Sequence, residues 1–92
     1  MSGGVNSRKG VFRMKVTVHV YASLARYAPE GGGGKEWVVE AEDGTRVGML
    51  LRKLGIPSES VKLLFLNGVH AEWADPLKEG DRLGVFPPVA GG

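Results

Sequence analysis

From Met14 to Tyr21 apolar and polar side chains alternate. Met14, Val16, Val18 and Val20 share one face, and Lys15, Thr17, His19 and Tyr21 share the other. A period of two predicts a half-buried strand over 15–21. Glu36 to Ala41 repeats the pattern, with Trp37, Val39 and Ala41 on one side and Glu36, Val38 and Glu40 on the other. The period then changes. Val47, Leu50, Leu51 and Leu54 fall at i, i+3, i+4 and i+7, the buried stripe of one helix. Asp43-Gly44 forms a turn before it and Thr45 is the expected N-cap. Gly55 stands where a left-handed residue ends a helix, and Pro57 bars its resumption. Gly48 lies inside this helix, where glycine costs about 1 kcal/mol against alanine. It is either a tolerated surface position or a point of close packing on the sheet.

Val61 to Leu66 is apolar on both faces, as in an interior strand. Asn67-Gly68 is a strong hairpin signal, and Val69–Ala71 returns from it. Arg82 to Phe86 is the last predicted strand, reached through a connection over 72–80 in which Asp75-Pro76 opens a turn. Ala22 to Ala28 has helical composition and stops at Pro29, which predicts a turn or two of helix. The order is therefore strand, short helix, strand, helix and three strands. One helix against one small mixed sheet, an α+β domain over 14–86, is the economical arrangement.

Composition changes this picture in three places. At 92 residues there is one domain, with a modest core. There is no cysteine, so a disulfide framework, a zinc ribbon and a catalytic thiol are all excluded. This fits a reducing cytosol, and a cytoplasmic location is expected. No apolar run approaches the ~18 residues of a membrane span, and no membrane partner is expected. The net charge of +2 is misleading. Arg8, Lys9 and Arg13 stand without an acid in a Gly- and Ser-rich segment, 1–13, expected to be a flexible arm. The remainder carries nine bases against ten acids. A near-neutral body gives no electrostatic footprint for nucleic acid, and none is expected as a partner.

The end of the chain is the informative part. Pro87-Pro88 cannot continue a hydrogen-bonded ladder, so pairing is expected to stop at Phe86. Residues 87–92 carry no charged side chain. Extended, they reach about 20 Å. Gly91 and Gly92 lack Cβ atoms, pass through a narrow channel and leave the terminal carbonyl open to attack. A carboxylate is a poor electrophile, so ATP must first activate it, most simply as an acyl-adenylate. With no thiol in the chain, any sulfur it carries must sit on that carboxylate.

Leu77-Lys78-Glu79-Gly80-Asp81, followed by Val85-Phe86-Pro87-Pro88-Val89-Ala90-Gly91-Gly92, resembles the end of molybdopterin synthase small subunits (MoaD-type). These belong with ThiS among the ubiquitin-like sulfur carriers. The strand from Val16 to Tyr21 with Ala22-Ser23-Leu24-Ala25, Gly44-Thr45-Arg46-Val47, and Asn67-Gly68-Val69 resemble the same family, over about residues 14–92. The resemblance implies a β-grasp fold. It also implies that an ATP-dependent activating enzyme adenylates Gly92, and that a sulfur-donating protein supplies the sulfur of a thiocarboxylate. Pro87, Pro88, Val89, Ala90 and Gly91 would then thread a channel in the synthase large subunit, which holds the catalytic residues. Sulfur would pass to precursor Z (cyclic pyranopterin monophosphate) for the molybdenum cofactor. By this reading the chain is not catalytic alone and binds no permanent cofactor. The alternatives are a ThiS-like carrier for thiamine, cysteine or tRNA thiolation, and a ubiquitin-like modifier joined to lysines through Gly92.

Phe86 is expected to begin the docking surface. One small helix covers one sheet face only, so Tyr21, Leu64, Leu66, Val69 and Trp73 are expected to supply part of a partner patch, or else a satellite core under the 72–80 connection. Other signals carry less. Gly31–Gly34 with Lys35 lacks the spacing and the following helix of a phosphate loop. His19 and His70 have no clustered partners for a metal, and no metal site is expected. Glu40, Glu42 and Asp43 fit a solvated turn better than paired catalytic acids.

Overall fold

The computed structural model describes residues 12–29 and 35–88. Five strands form one mixed sheet: β1 (Arg13–Val20), β2 (Glu36–Glu42), β3 (Leu63–Leu66), β4 (Val69–Ala71) and β5 (Arg82–Phe86). Their spatial order is β2-β1-β5-β3-β4. The central pair β1–β5 is parallel and the other pairs are antiparallel. The first and last of these strands thus lie side by side, and the one α-helix among the described residues, α1 (Val47–Lys53), packs on one face. This is the β-grasp, ubiquitin-like architecture.

The alternation in β1 holds in full, since Met14, Val16, Val18 and Val20 are all buried. They meet Leu83 and Val85 of β5, Leu64 of β3, and Val47, Leu50 and Leu51 of α1. Trp37 and Val39 pack at the margin of this core, with Ala41 inside it. β1 starts at Arg13 rather than Lys15 because Arg13 pairs with Glu42 of β2. It ends at Val20, although the Tyr21 N–H still donates to Val85 O at 3.1 Å. The short helix after it is a 3-10 helix, Ala22–Tyr27, which buries Leu24.

β3 is interior, as its two apolar faces imply, but it begins at Leu63 and not Val61. A 3-10 turn at Ser58–Ser60 takes the Val61 N–H onto Ser58 O, so that residue is held outside the ladder. The two-residue connection to β4 has positive φ at both Asn67 and Gly68, the type I′ turn that the dipeptide favours.

The end of α1 follows the sequence expectation. Gly55 has φ +82°, its N–H donates to Arg52 O, and the Ile56 N–H donates to Leu51 O. These two bonds form a Schellman motif, with Ile56 and Leu51 both buried beside it. The beginning of α1 departs from expectation. Arg46, not Thr45, is the N-cap, and no side chain caps the helix. The N–H groups of Val47 and Gly48 donate instead to the carbonyls of Asp75 and Trp73, at 2.9 and 2.8 Å. The 73–77 connection is strapped across the helix start by backbone, with Leu77 N–H donating to Thr45 O as a further tie. The two donors that a Thr45 side chain would serve, the N–H groups of Val47 and Gly48, are therefore already taken.

Gly48 is accordingly a point of close packing, but on this connection and not on the sheet. A Cβ there would lie 3.2 Å from both the Trp73 ring and the Trp73 carbonyl oxygen.

Candidate functional site

β5 leads directly from the centre of the sheet into Pro87-Pro88. Its last paired residue is Phe86, opposite Leu63, and Phe86 O accepts the Lys62 N–H at 2.7 Å. Pairing stops where the two prolines remove the donors. Val89, Ala90, Gly91 and Gly92, to which sequence assigns the channel and the sulfur, lie outside the described residues, as do Gly31–Gly34 and residues 1–11 of the arm expected over 1–13, whose last residue, Arg13, belongs to β1.

The start of β5 is fixed by a buried carboxylate. Asp81 is only 4% exposed. Its oxygens accept the Asn67 side-chain amide at 2.9 Å and the Lys78 N–H at 2.7 Å. The Asn67 side-chain oxygen in turn accepts the Arg82 N–H at 2.9 Å. One short network thereby locks the β3–β4 hairpin to the strand that carries the tail.

The sheet face opposite α1 carries a continuous aromatic surface. His19 and Tyr21 stack at 4.2 Å, and Tyr21 and Phe86 stack at 4.0 Å. Phe65 meets Phe86 edge-on at 5.5 Å and His70 at 5.8 Å. Such pairs contribute about 0.5–1.5 kcal/mol each beyond burial. Gly84 forms the floor: a Cβ there would lie 3.5 Å from the Phe86 ring and 3.6 Å from Tyr21. The rings surround a shallow hollow of about 280 Å³. At its border, Glu36 lies 3.5 Å from His19 Nδ1 and 3.4 Å from the Arg82 guanidinium. Pairs this exposed contribute at most about 1 kcal/mol, so they shape the rim more than they stabilise it.

Of the residues that sequence groups as a partner patch, the structure places only Phe86 and Tyr21 on this face. Leu64 is buried under α1 and is a core residue, not an exposed one. Leu66 packs at the core margin. Val69 is 68% exposed, but strand alternation sets it on the helix side with Leu66 and Ala71. Trp73 rests on Gly48 at the start of α1. The sequence reading did not single out Phe65, and for His19 and His70 it excluded only a metal site. Their signal was parity: the odd positions of β1 and β3 share the outer face.

Among the described residues no group of three His, Cys, Asp or Glu side chains could hold a metal ion. No helix among them is long and apolar enough to cross a membrane. The geometry is one of contact: an aromatic platform beside the root of a tail.

A Pyrococcus furiosus protein described as molybdopterin converting factor subunit 1 is 28% identical, with a TM-score of 0.63 over 83% of this chain and 99% of that one. SAMP1, the small archaeal modifier protein 1, from Haloferax volcanii is 24% identical, with a TM-score of 0.65 over 85% and 99%. Subunit 1 in a complex of subunits 1 and 2 of molybdopterin-converting factor from Helicobacter pylori is 22% identical, with a TM-score of 0.56 over 86% and 100%. The last two share the fold. No curated protein matches the chain. The family model for the ThiS family matches residues 18–92, from the middle of β1 through the tail, and the chain belongs to that family.

Proposed function

We propose that this chain is a sulfur carrier acting as the small subunit of molybdopterin synthase. An activating enzyme joins the Gly92 carboxylate to AMP from ATP and releases pyrophosphate. Sulfide-level sulfur released by a sulfur-donating protein then displaces AMP, leaving a C-terminal thiocarboxylate. The large subunit takes the tail into its channel, the sulfur passes to precursor Z, and water restores the carboxylate. Pro87, Pro88, Val89, Ala90 and Gly91 serve as the thread, and the aromatic face seats the partner. Without a large subunit the chain turns nothing over. The setting proposed for this chemistry is the cytoplasm.

The observation that carries the reading is continuity. The strand that ends in Phe86, at the middle of the aromatic platform, leads straight into Pro87-Pro88 and the Gly91-Gly92 end. Likeness to the Pyrococcus furiosus protein supports the pterin branch. Membership of the ThiS family equally supports a carrier for thiamine, cysteine or tRNA thiolation. Likeness in fold to a modifier supports conjugation through Gly92 as a further alternative.

Intact mass spectrometry tests the proposal. The protein is incubated with its activating enzyme, ATP and a sulfur source. The expected product has one oxygen replaced by sulfur, and deletion of Gly92 abolishes it. Dithiolene formation on adding large subunit and precursor Z assigns the pterin branch. Lysine conjugates of higher mass assign a modifier. An unchanged mass overturns the reading.

A further inference from the structure

A second surface lies on the helix side, away from the aromatic platform. Arg46, Gly48, Met49, Arg52, Ile56 and Trp73 line most of an open groove of about 600 Å³. Its apolar wall is on display, since Met49 is 58% exposed and Trp73 36%. Gly48 lets Trp73 pack closely on the helix, since a Cβ there would lie 3.2 Å from the ring and from the Trp73 carbonyl oxygen. The lining contains two arginines and no acid. Among the described residues neither arginine forms an ion pair; the acids that pair do so with His19, His70 and Arg82. One Arg46 nitrogen donates to the Ala74 carbonyl, which anchors the stem and leaves the other donors of the guanidinium unused by that bond.

Two features distinguish the possible ligands. First, the N–H groups of Val47 and Gly48, which a phosphate at the start of α1 would need, are already bonded to Asp75 O and Trp73 O. Second, Arg46 and Arg52 are six residues apart, about 9 Å along the helix axis. The two cations flank Met49, so the lining runs cation, apolar side chain, cation. Two carboxylates four residues apart on an extended chain share one face and lie ~13 Å apart, within reach of two arginine side chains. The middle residue, on that same face, would then lie over Met49 and Trp73.

We propose that this groove docks an extended acidic segment of a partner protein, with two carboxylates on Arg46 and Arg52 and an apolar side chain against Met49 and Trp73. The groove shares no lining residue with the aromatic platform. The carrier could therefore be held by one protein through the groove while another engages the platform.

The test uses the full chain, isotope-labelled, in an NMR titration with a blocked Asp-Ser-Leu-Ser-Glu peptide. The expected result is saturable shifts of the Met49 methyl and Trp73 indole signals. The affinity should fall at least tenfold for Arg52→Glu, and at least tenfold for an Asn-Ser-Leu-Ser-Gln peptide. Met49→Ala, which leaves both cations in place, should weaken binding less than Arg52→Glu. Equal binding of the amide peptide overturns the proposal. So do shifts confined to Tyr21, Phe65 and Phe86, stronger binding of AMP at the same signals, and no shift at millimolar peptide. None of these readouts involves Gly92, so they stand or fall independently of sulfur transfer.

Discussion

Gly48 and Trp73 are distant in sequence and are pressed together by a backbone bond. The Gly48 N–H donates to Trp73 O at 2.8 Å, and the Trp73 ring lies over the missing side chain. Two effects oppose one another when alanine is placed there. Helix propensity returns about 1 kcal/mol. Overpacking costs ~1–3 kcal/mol. The carbonyl is pinned by its own hydrogen bond and cannot yield cheaply, so overpacking should win. Gly48→Ala is expected to lower stability in urea unfolding by about 1 kcal/mol and to change the Trp73 fluorescence. An unchanged or raised midpoint would mean that the connection gives way. A glycine inside a helical stripe is visible in sequence as an anomaly. Its partner is not, because nothing local to 47–54 says that the 73–77 connection will cross the helix start. For the same reason the expected cap at Thr45 fails: the donors it would satisfy are taken from outside the segment.

Elements whose signals are local were legible. Asn67-Gly68 demands positive φ at both positions and obtains it, and Gly55 stops α1 with both bonds of its motif in place. Less visible was the second role of Asn67. Its side chain bonds both Asp81 and the Arg82 backbone, tying the hairpin to β5. Asp81→Ala strips the Lys78 N–H and the Asn67 amide of an acceptor in a partly buried place. The expected loss is about 1–3 kcal/mol, since unsatisfied buried donors carry most of that penalty. Asn67→Gly keeps the turn geometry and removes only the bridge, so it should lose less than Asp81→Ala. Urea midpoints of the two variants measured side by side give the comparison, and the reverse ranking would refute the network. The start of β3 was misplaced for a similar reason. Val61 has the composition of a strand, but the 3-10 turn before it claims its N–H.

The whole molecule has two dissimilar sides, and their separation is a matter of strand parity. A strand that is apolar on both faces, such as β3, does not disclose which face meets the helix until its register is known. The register puts Leu64 opposite Ala71, with both in the core, and Phe65 opposite His70 on the open side. Apolar content therefore foretold a partner surface but not its members. Phe86 is central to the stacked rings, and a buried aromatic anchor of that kind carries ≥2 kcal/mol at an interface. Phe86→Ala is expected to weaken binding to a large subunit roughly 30-fold by calorimetry. Gly48→Ala should leave that affinity unchanged. Equal losses from the two variants would mean that the aromatic platform is not the seat. The central parallel pair has a mechanical consequence as well. β1 begins at residue 13 and β5 ends at residue 86, side by side and pointing the same way. Tension between those two points loads the Tyr21–Val85 and Thr17–Asp81 backbone bonds in shear, together and not in sequence. An anchored tail would thus be tugged against the seam least able to unzip, and a motor or tight channel could strain it while the body kept its shape.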